Sequence, residues 1–128
     1  MPDTLERIRE LGARPGITVN PETPAEMIFS VIESVDEILC MTVHPGYGGQ
    51  AFMPEVLPKI RTLRNYASSI GRTDLRILVD GGINLETARQ CAAQGADSLI
   101  AGTSLYRAAD MPAALQRMRQ ESAGVFVI

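Results

Sequence analysis

The sequence has little net charge and no basic block: a formal net charge of -3 argues against nucleic acid as the main partner. Long apolar runs are missing too. No stretch approaches the roughly 20 residues a membrane-spanning helix needs, and the N-terminus has no signal-peptide h-region. Cysteine is sparse. Cys40 and Cys91 both fall inside apolar elements and read as small reduced core residues rather than a disulfide or metal pair. These shortages suit a cytoplasmic protein with no nucleic-acid or membrane partner. What remains is ordinary globular material: 128 residues, 45% hydrophobic and 21% charged, enough for one domain with a real core. No linker, low-complexity segment or second domain interrupts residues 1–128.

The stretch that organises the chain is Val43-His44-Pro45-Gly46-Tyr47-Gly48-Gly49-Gln50. An apolar strand, Ile38 to Val43, empties into it, and an amphipathic helix follows from about Pro54. Glycines at 46, 48 and 49 remove the β-carbons that would hold an anion off the backbone, so N–H groups can converge on it. Taken alone, the stretch fits a phosphate or carboxylate site and equally a glycine-rich connection with no ligand.

Taken in order, Asp3-Thr4-Leu5-Glu6 reads as a helix start, with Leu5, Ile8 and Leu11 on one face and Gly12 as the stop. Ile17 to Asn20 is a short strand. Thr23-Pro24-Ala25-Glu26 opens a helix with Pro24 at its first position, and Met27, Ile28, Val31 and Ile32 form its inward stripe. The helix from about Pro54 to Ile70 buries Val56, Leu57, Ile60, Leu63 and Ala67, while Lys59, Arg61 and Arg64 read as a solvated face. Leu75 to Val79 is a strand ending in Asp80-Gly81-Gly82, and Asn84 caps a helix faced by Leu85, Ala88, Cys91 and Ala92. Asp97 to Ala101 is a strand ending in Gly102-Thr103-Ser104. Asp110 and Pro112 open the last helix, faced by Met111, Ala114, Leu115 and Met118. The apolar tail from Val125 to Ile128 has no assigned place.

Apolar strands alternating with helices imply a parallel sheet covered by helices, either an open doubly wound sheet or part of a (β/α) barrel. In both, chemistry gathers beyond the C-terminal ends of the strands. Three successive strands here end in glycine, so their loops converge and offer backbone contact to one anion.

Three segments carry a resemblance: Met41 to Gln50, Val79-Asp80-Gly81-Gly82-Ile83-Asn84, and Ala101-Gly102-Thr103-Ser104. In order and spacing they resemble the ribulose-phosphate 3-epimerase family, over a span reaching about Arg119. The resemblance implies an α/β fold, a parallel (β/α) barrel of TIM type. It also implies interconversion of D-ribulose 5-phosphate and D-xylulose 5-phosphate by proton transfer at C3 with a divalent metal (Zn, Mn or Fe). By position it assigns Gly46, Tyr47, Gly48 and Gly49 to the sixth-strand phosphate loop. Gly81 and Gly82 fall in the seventh, and Gly102 and Thr103 in the eighth. Asp80 becomes both a metal ligand and one of two catalytic acid/base groups, and Met41 lines the active site. His44 stands where the family often has asparagine, and reads as orienting its loop rather than binding a ligand.

The resemblance covers only strands five to eight, about half a barrel. The serine, histidines and aspartate of the family's first three strands have no counterpart, so the metal-ligand set is incomplete. Asp80 offers a proton-transfer group to one face of an enediolate, and epimerisation needs one on each. The isolated chain is therefore expected to be inactive. Three functions follow: part of a ribulose-phosphate 3-epimerase, a non-catalytic phosphate-binding half-barrel, or a 3-epimerase of another ketose phosphate such as allulose 6-phosphate. The expected partners are a phosphorylated ketose and either a second copy or an N-terminal half that completes the barrel.

Overall fold

In the computed structural model, which describes residues 2–44, 46, 50–122 and 126–127, the apolar runs become parallel strands of one sheet. After helix α1 (Pro2–Glu10) come β1 (Gly16–Val19), a 3-10 helix (Ala25–Ser34) and β2 (Glu37–Met41). A 3-10 turn (Pro54–Val56) leads into α2 (Leu57–Ser69), followed by β3 (Arg76–Asp80), α3 (Leu85–Ala93) and β4 (Ser98–Ile100). The short α4 (Thr103–Tyr106), α5 (Met111–Glu121) and β5 (Phe126–Val127) complete the order. The strands lie side by side as β1-β2-β3-β4-β5, every pair parallel. This is the α/β architecture of a partial TIM-type barrel.

Strand side chains alternate between faces, and register decides which ones meet. Ile38 lies beside Ile77, and Cys40 beside Val79; all four are fully buried in one cluster with Ile60 and Leu63 of α2 and Ala88 and Cys91 of α3. Full burial of such an aliphatic side chain stabilises by about 1.5–3 kcal/mol. Both cysteines are free and buried, and burial pushes both thiols up to about 12, which keeps them protonated and unreactive.

The opposite face would line a closed barrel. At its N-terminal end Arg76 donates to Glu37 (3.2 Å) and to Ser98 Oγ (2.9 Å). Leu39 and Leu78 form the next row, and Met41 lies beside Asp80 at the C-terminal end. These β2 and β3 side chains are only partly covered. The face is thus layered, polar below and mixed above, rather than uniformly apolar.

Several sequence expectations change. The segment from Ala25 is a 3-10 helix, with Pro24 extended before it as the cap residue. At three residues per turn the inward row is Phe29, Ile32 and Val35, with Ile32 and Val35 fully buried. Met27, read as inward, is 70% exposed. Phe29 stacks flat on Tyr66 of α2 with ring centroids 4.0 Å apart. Asp3 lies inside α1 rather than capping it, and Leu11 is exposed because the helix has already ended. Met111 is exposed at the start of α5.

Of the basic residues of α2, Arg61 is exposed as expected, but all three are tied to other parts of the chain. Lys59 donates to the carbonyls of Asn20 (2.8 Å) and Pro21 (3.0 Å). Arg61 reaches Ala93 O and Gln94. Arg64 donates to Gly95 O (3.0 Å) and Leu75 O (2.9 Å) and pairs with Asp97. They fasten α2 to the loops at both ends of the sheet. A strand beyond β4 covers its edge, because Phe126 and Val127 pair with Ser98 and Leu99.

Candidate functional site at the C-terminal strand ends

β2 ends at Met41, and the next residue, Thr42, is completely buried. Its N–H donates to Asp80 O (2.9 Å), its hydroxyl to Gly81 O (2.5 Å), and its carbonyl accepts from Met53 N (2.8 Å). The segment between Thr42 and Met53 is therefore an excursion closed at its base and pinned to the loop after β3. Ser104 closes the other side by donating to Ile83 O (2.7 Å). Three loops distant in sequence become one surface. The first turn of α3 is held by a reciprocal cap, in which Thr87 N donates to Asn84 Oδ1 (3.0 Å) and Asn84 N donates to Thr87 Oγ1 (2.8 Å).

An open cavity of about 880 Å³ lies above these ends. Met41, Gly46, Asp80, Gly81, Gly82, Gly102 and Thr103, all picked out in the sequence, line it together. Tyr47, Gly48 and Gly49 lie outside the described residues. His44 does not line the cavity. It sits exposed with Nδ1 3.4 Å from Glu22 Oε2, bridging the loops after β1 and β2, while its carbonyl accepts from Gln50 Nε2 (2.6 Å).

The glycines differ in what they leave room for. Gly81 has φ +128, and a Cβ there would lie 2.6 Å from Val43 Cγ2. Gly82 has φ +66, and its Cβ would lie 2.7 Å from Phe52 N. Both need glycine for backbone conformation and loop packing, whatever binds nearby. A Cβ on Gly102 would meet nothing within 4 Å. Packing leaves that position empty, and Gly102 lines the cavity.

Asp80 ends β3 half-buried beside Met41. Among the described residues no side chain or N–H is bonded to its carboxylate. Partial burial pushes the carboxyl above its ordinary 3.8, because desolvation disfavours the charged form. A group shifted toward neutrality is suited to accept and return a proton. Sequence reading passed over the cavity residues Phe52, Ile100 and Arg107. Arg107 had a usable signal: it follows Thr103 by four residues, one helical turn.

The described residues do not by themselves fit a divalent metal. No group of three or more His, Cys, Asp or Glu side chains among them could hold one, and Asp80 is the sole carboxylate among the described residues lining the cavity. One carboxylate does not make such a site.

Comparison with known proteins shows a family and a fold. The Ribulose-phosphate 3 epimerase family matches residues 1–106. The chain is 42% identical over 116 residues to the ribulose-phosphate 3-epimerase of Bacillus subtilis, covering 91% of this chain and 54% of that protein. It is 42% identical over 118 residues to the enzyme of that name from Mycobacterium leprae, covering 92% and 52%. With that of Escherichia coli K12 it shares 38% over 122 residues, covering 95% and 54%. The chain thus spans about half the length of the relatives it matches. Among solved structures it resembles a chain of the Amycolatopsis orientalis BexX/CysO complex, with TM-score 0.67 at 20% identity, covering 97% of this chain and 48% of that one. It also resembles Mycobacterium tuberculosis tryptophan synthase, with TM-score 0.60 at 18% identity, covering 96% and 46%. At such identity these likenesses show the fold alone.

Proposed function

The chain belongs to the ribulose-phosphate 3-epimerase family, and we propose that it supplies the phosphate-binding half of a barrel that interconverts D-ribulose 5-phosphate and D-xylulose 5-phosphate. One observation carries the reading: a single cavity joins the loops after β2, β3 and β4, with Asp80 and the unfilled position at Gly102 both on it.

In this reading the backbone N–H groups near Gly46, Gly81, Gly82 and Gly102, with the Thr103 hydroxyl, take the phosphate oxygens. The described part of the cavity leaves the C3 proton to Asp80. Its carboxylate removes that proton from one face of the substrate and leaves a planar enediolate beside Met41. The 3-epimer forms when a proton returns to the other face, and the donor there must come from strands this chain does not contain. A divalent metal, in the family reading, would stabilise the enediolate oxygens, with Asp80 as one ligand and the rest from the same missing strands. The completing strands come from an N-terminal half or from a second copy, and the protein works in the cytoplasm.

A specific observation favours a second reading. Among the described residues lining the cavity, no second carboxylate or histidine accompanies Asp80, so the chain alone would bind a phosphorylated sugar without turning it over. The discriminating experiment is an epimerase assay with added divalent metal, on this chain alone and together with an N-terminal half from a relative. Activity appearing only in the mixture supports the epimerase reading. Titration with inorganic phosphate, followed by amide NMR, tests binding. Shifts should concentrate at Gly81, Gly82, Gly102 and Thr103; shifts confined to the other end of the sheet would count against a phosphate site.

A further inference from the structure

We propose that Arg107 binds the phosphate group directly and anchors it at the Gly102–Thr103 end of the cavity. The proposal rests on the phosphate-site reading above and adds the residue that answers the ligand's charge.

Arg107 is the one basic side chain among the described residues lining the cavity. Three other arginines are committed to structure. Arg64 holds Gly95, Leu75 and Asp97, Arg72 holds three carbonyls near Val35 and Asp74, and Arg76 holds Glu37 and Ser98. Among the described residues the Arg107 side chain has no hydrogen-bond or ion-pair partner. Its backbone is fixed nonetheless, since its N–H donates to Thr103 O (2.9 Å). Residues four apart on a helical turn share a side, and a helical side chain leans back over the preceding turn. The guanidinium is therefore carried toward Thr103 and the open position at Gly102, where a Cβ would meet nothing within 4 Å beyond the adjoining residues.

Charge gives the cavity two ends. A phosphate ester carries about −1.5 to −2 charges at neutral pH, and N–H and hydroxyl groups offer it only partial charges. A guanidinium offers a full charge and a planar fork that fits two phosphate oxygens. Asp80 lines the same cavity and repels a phosphate. The dianion thus settles at Arg107, and the sugar carbons extend toward Asp80, the orientation that proton transfer at C3 needs.

The test uses the full chain and two probes, inorganic phosphate and D-ribulose 5-phosphate, with calorimetry and thermal melting. Arg107→Gln should weaken both probes about tenfold or more and leave the melting midpoint unchanged. Arg107→Lys should recover part of the loss, since it restores the charge without the fork. Gly102→Leu tests the underlying reading separately by filling the cavity. Binding by Arg107→Gln within about twofold of the parent, with Gly102→Leu unable to bind, would overturn the role of Arg107 and leave the phosphate site standing. A parent chain that binds neither probe would overturn both. Equal losses in the Gln and Lys variants with lowered melting midpoints would mark Arg107 as structural and overturn the proposal.

Discussion

Gly82 packs so closely against Phe52 that a Cβ at Gly82 would lie 2.7 Å from the Phe52 nitrogen, in a backbone conformation of φ +66. The contact joins the loop after β3 to the far end of the loop after β2. Gly82→Ala should therefore destabilise the chain through left-handed strain alone by about 1–3 kcal/mol, with the clash adding to it. Urea unfolding measures the loss, and an unchanged midpoint would mean the two loops can part freely.

Gly102 should behave in the opposite way. Its Cβ would enter open space, so Gly102→Leu should keep the parent's melting midpoint while abolishing phosphate binding by occupying the cavity. Calorimetry and melting on one sample check both halves. Intact binding would show that the phosphate does not lie over this position.

Asp80 ties stability to pH. Its folded-state pKa is raised above 3.8 by burial, so its stabilising contribution is full below the unfolded value and is lost as pH rises through the folded value. Asp80→Asn should then melt higher than the parent at neutral pH, and the gap should close as pH falls toward 3.8. The same substitution should remove any activity of a completed barrel, a case of function held at the expense of stability. A variant melting below the parent at neutral pH would show that the carboxylate has a stabilising partner.

Arg64 fastens α2 to the N-terminal ends of β3 and β4. Its side chain satisfies Gly95 O and Leu75 O and pairs with Asp97, whose carboxylate also accepts from Ile77 N (2.8 Å). Arg64→Met keeps much of the stem but leaves these groups unpaired, at a cost of about 1–3 kcal/mol for each one that stays buried. Chemical unfolding should show a loss in that range, whereas a change within about 0.5 kcal/mol, the usual size for a surface substitution, would mean water replaces the guanidinium.

Assembly follows from the uncovered inner face. Leu39, Met41, Leu78 and Ile100 are only partly buried there, and the β1 edge has no neighbouring strand among the described residues. Such a face and edge favour association. Two copies cannot close an eight-stranded barrel simply by adding four strands each, because β5 occupies the β4 edge and would have to move. Sedimentation at rising concentration should show a dimer, or a complex when an N-terminal half is supplied. A monomer at every concentration would mean the layered inner face tolerates water.

The sequence by itself determined the alternation of strands and helices and the three glycine-bearing loops after β2, β3 and β4. It also marked Asp80 and the glycines of those loops, with Gly102 one among them. These are local facts: an apolar run, a turn residue at its end, an amphipathic period after it. In a parallel βα arrangement, local order alone brings the strand ends to one side. Tertiary structure decided the rest. Whether Ala25–Ser34 winds at 3.6 or at three residues per turn depends on the fit of Phe29 to Tyr66 and of Ile32 to the core. Lys59, Arg61 and Arg64 looked solvated because their carbonyl partners lie 11–39 residues away. Gly81 and Gly82 read as anion-binding glycines in the sequence, and only the neighbouring loop shows that packing requires glycine there as well. The pairing of Phe126 and Val127 with β4 required a partner strand to be in place first. Contacts between distant segments leave no period in the sequence, so only the folded chain separates a glycine kept for packing from one kept open toward the cavity.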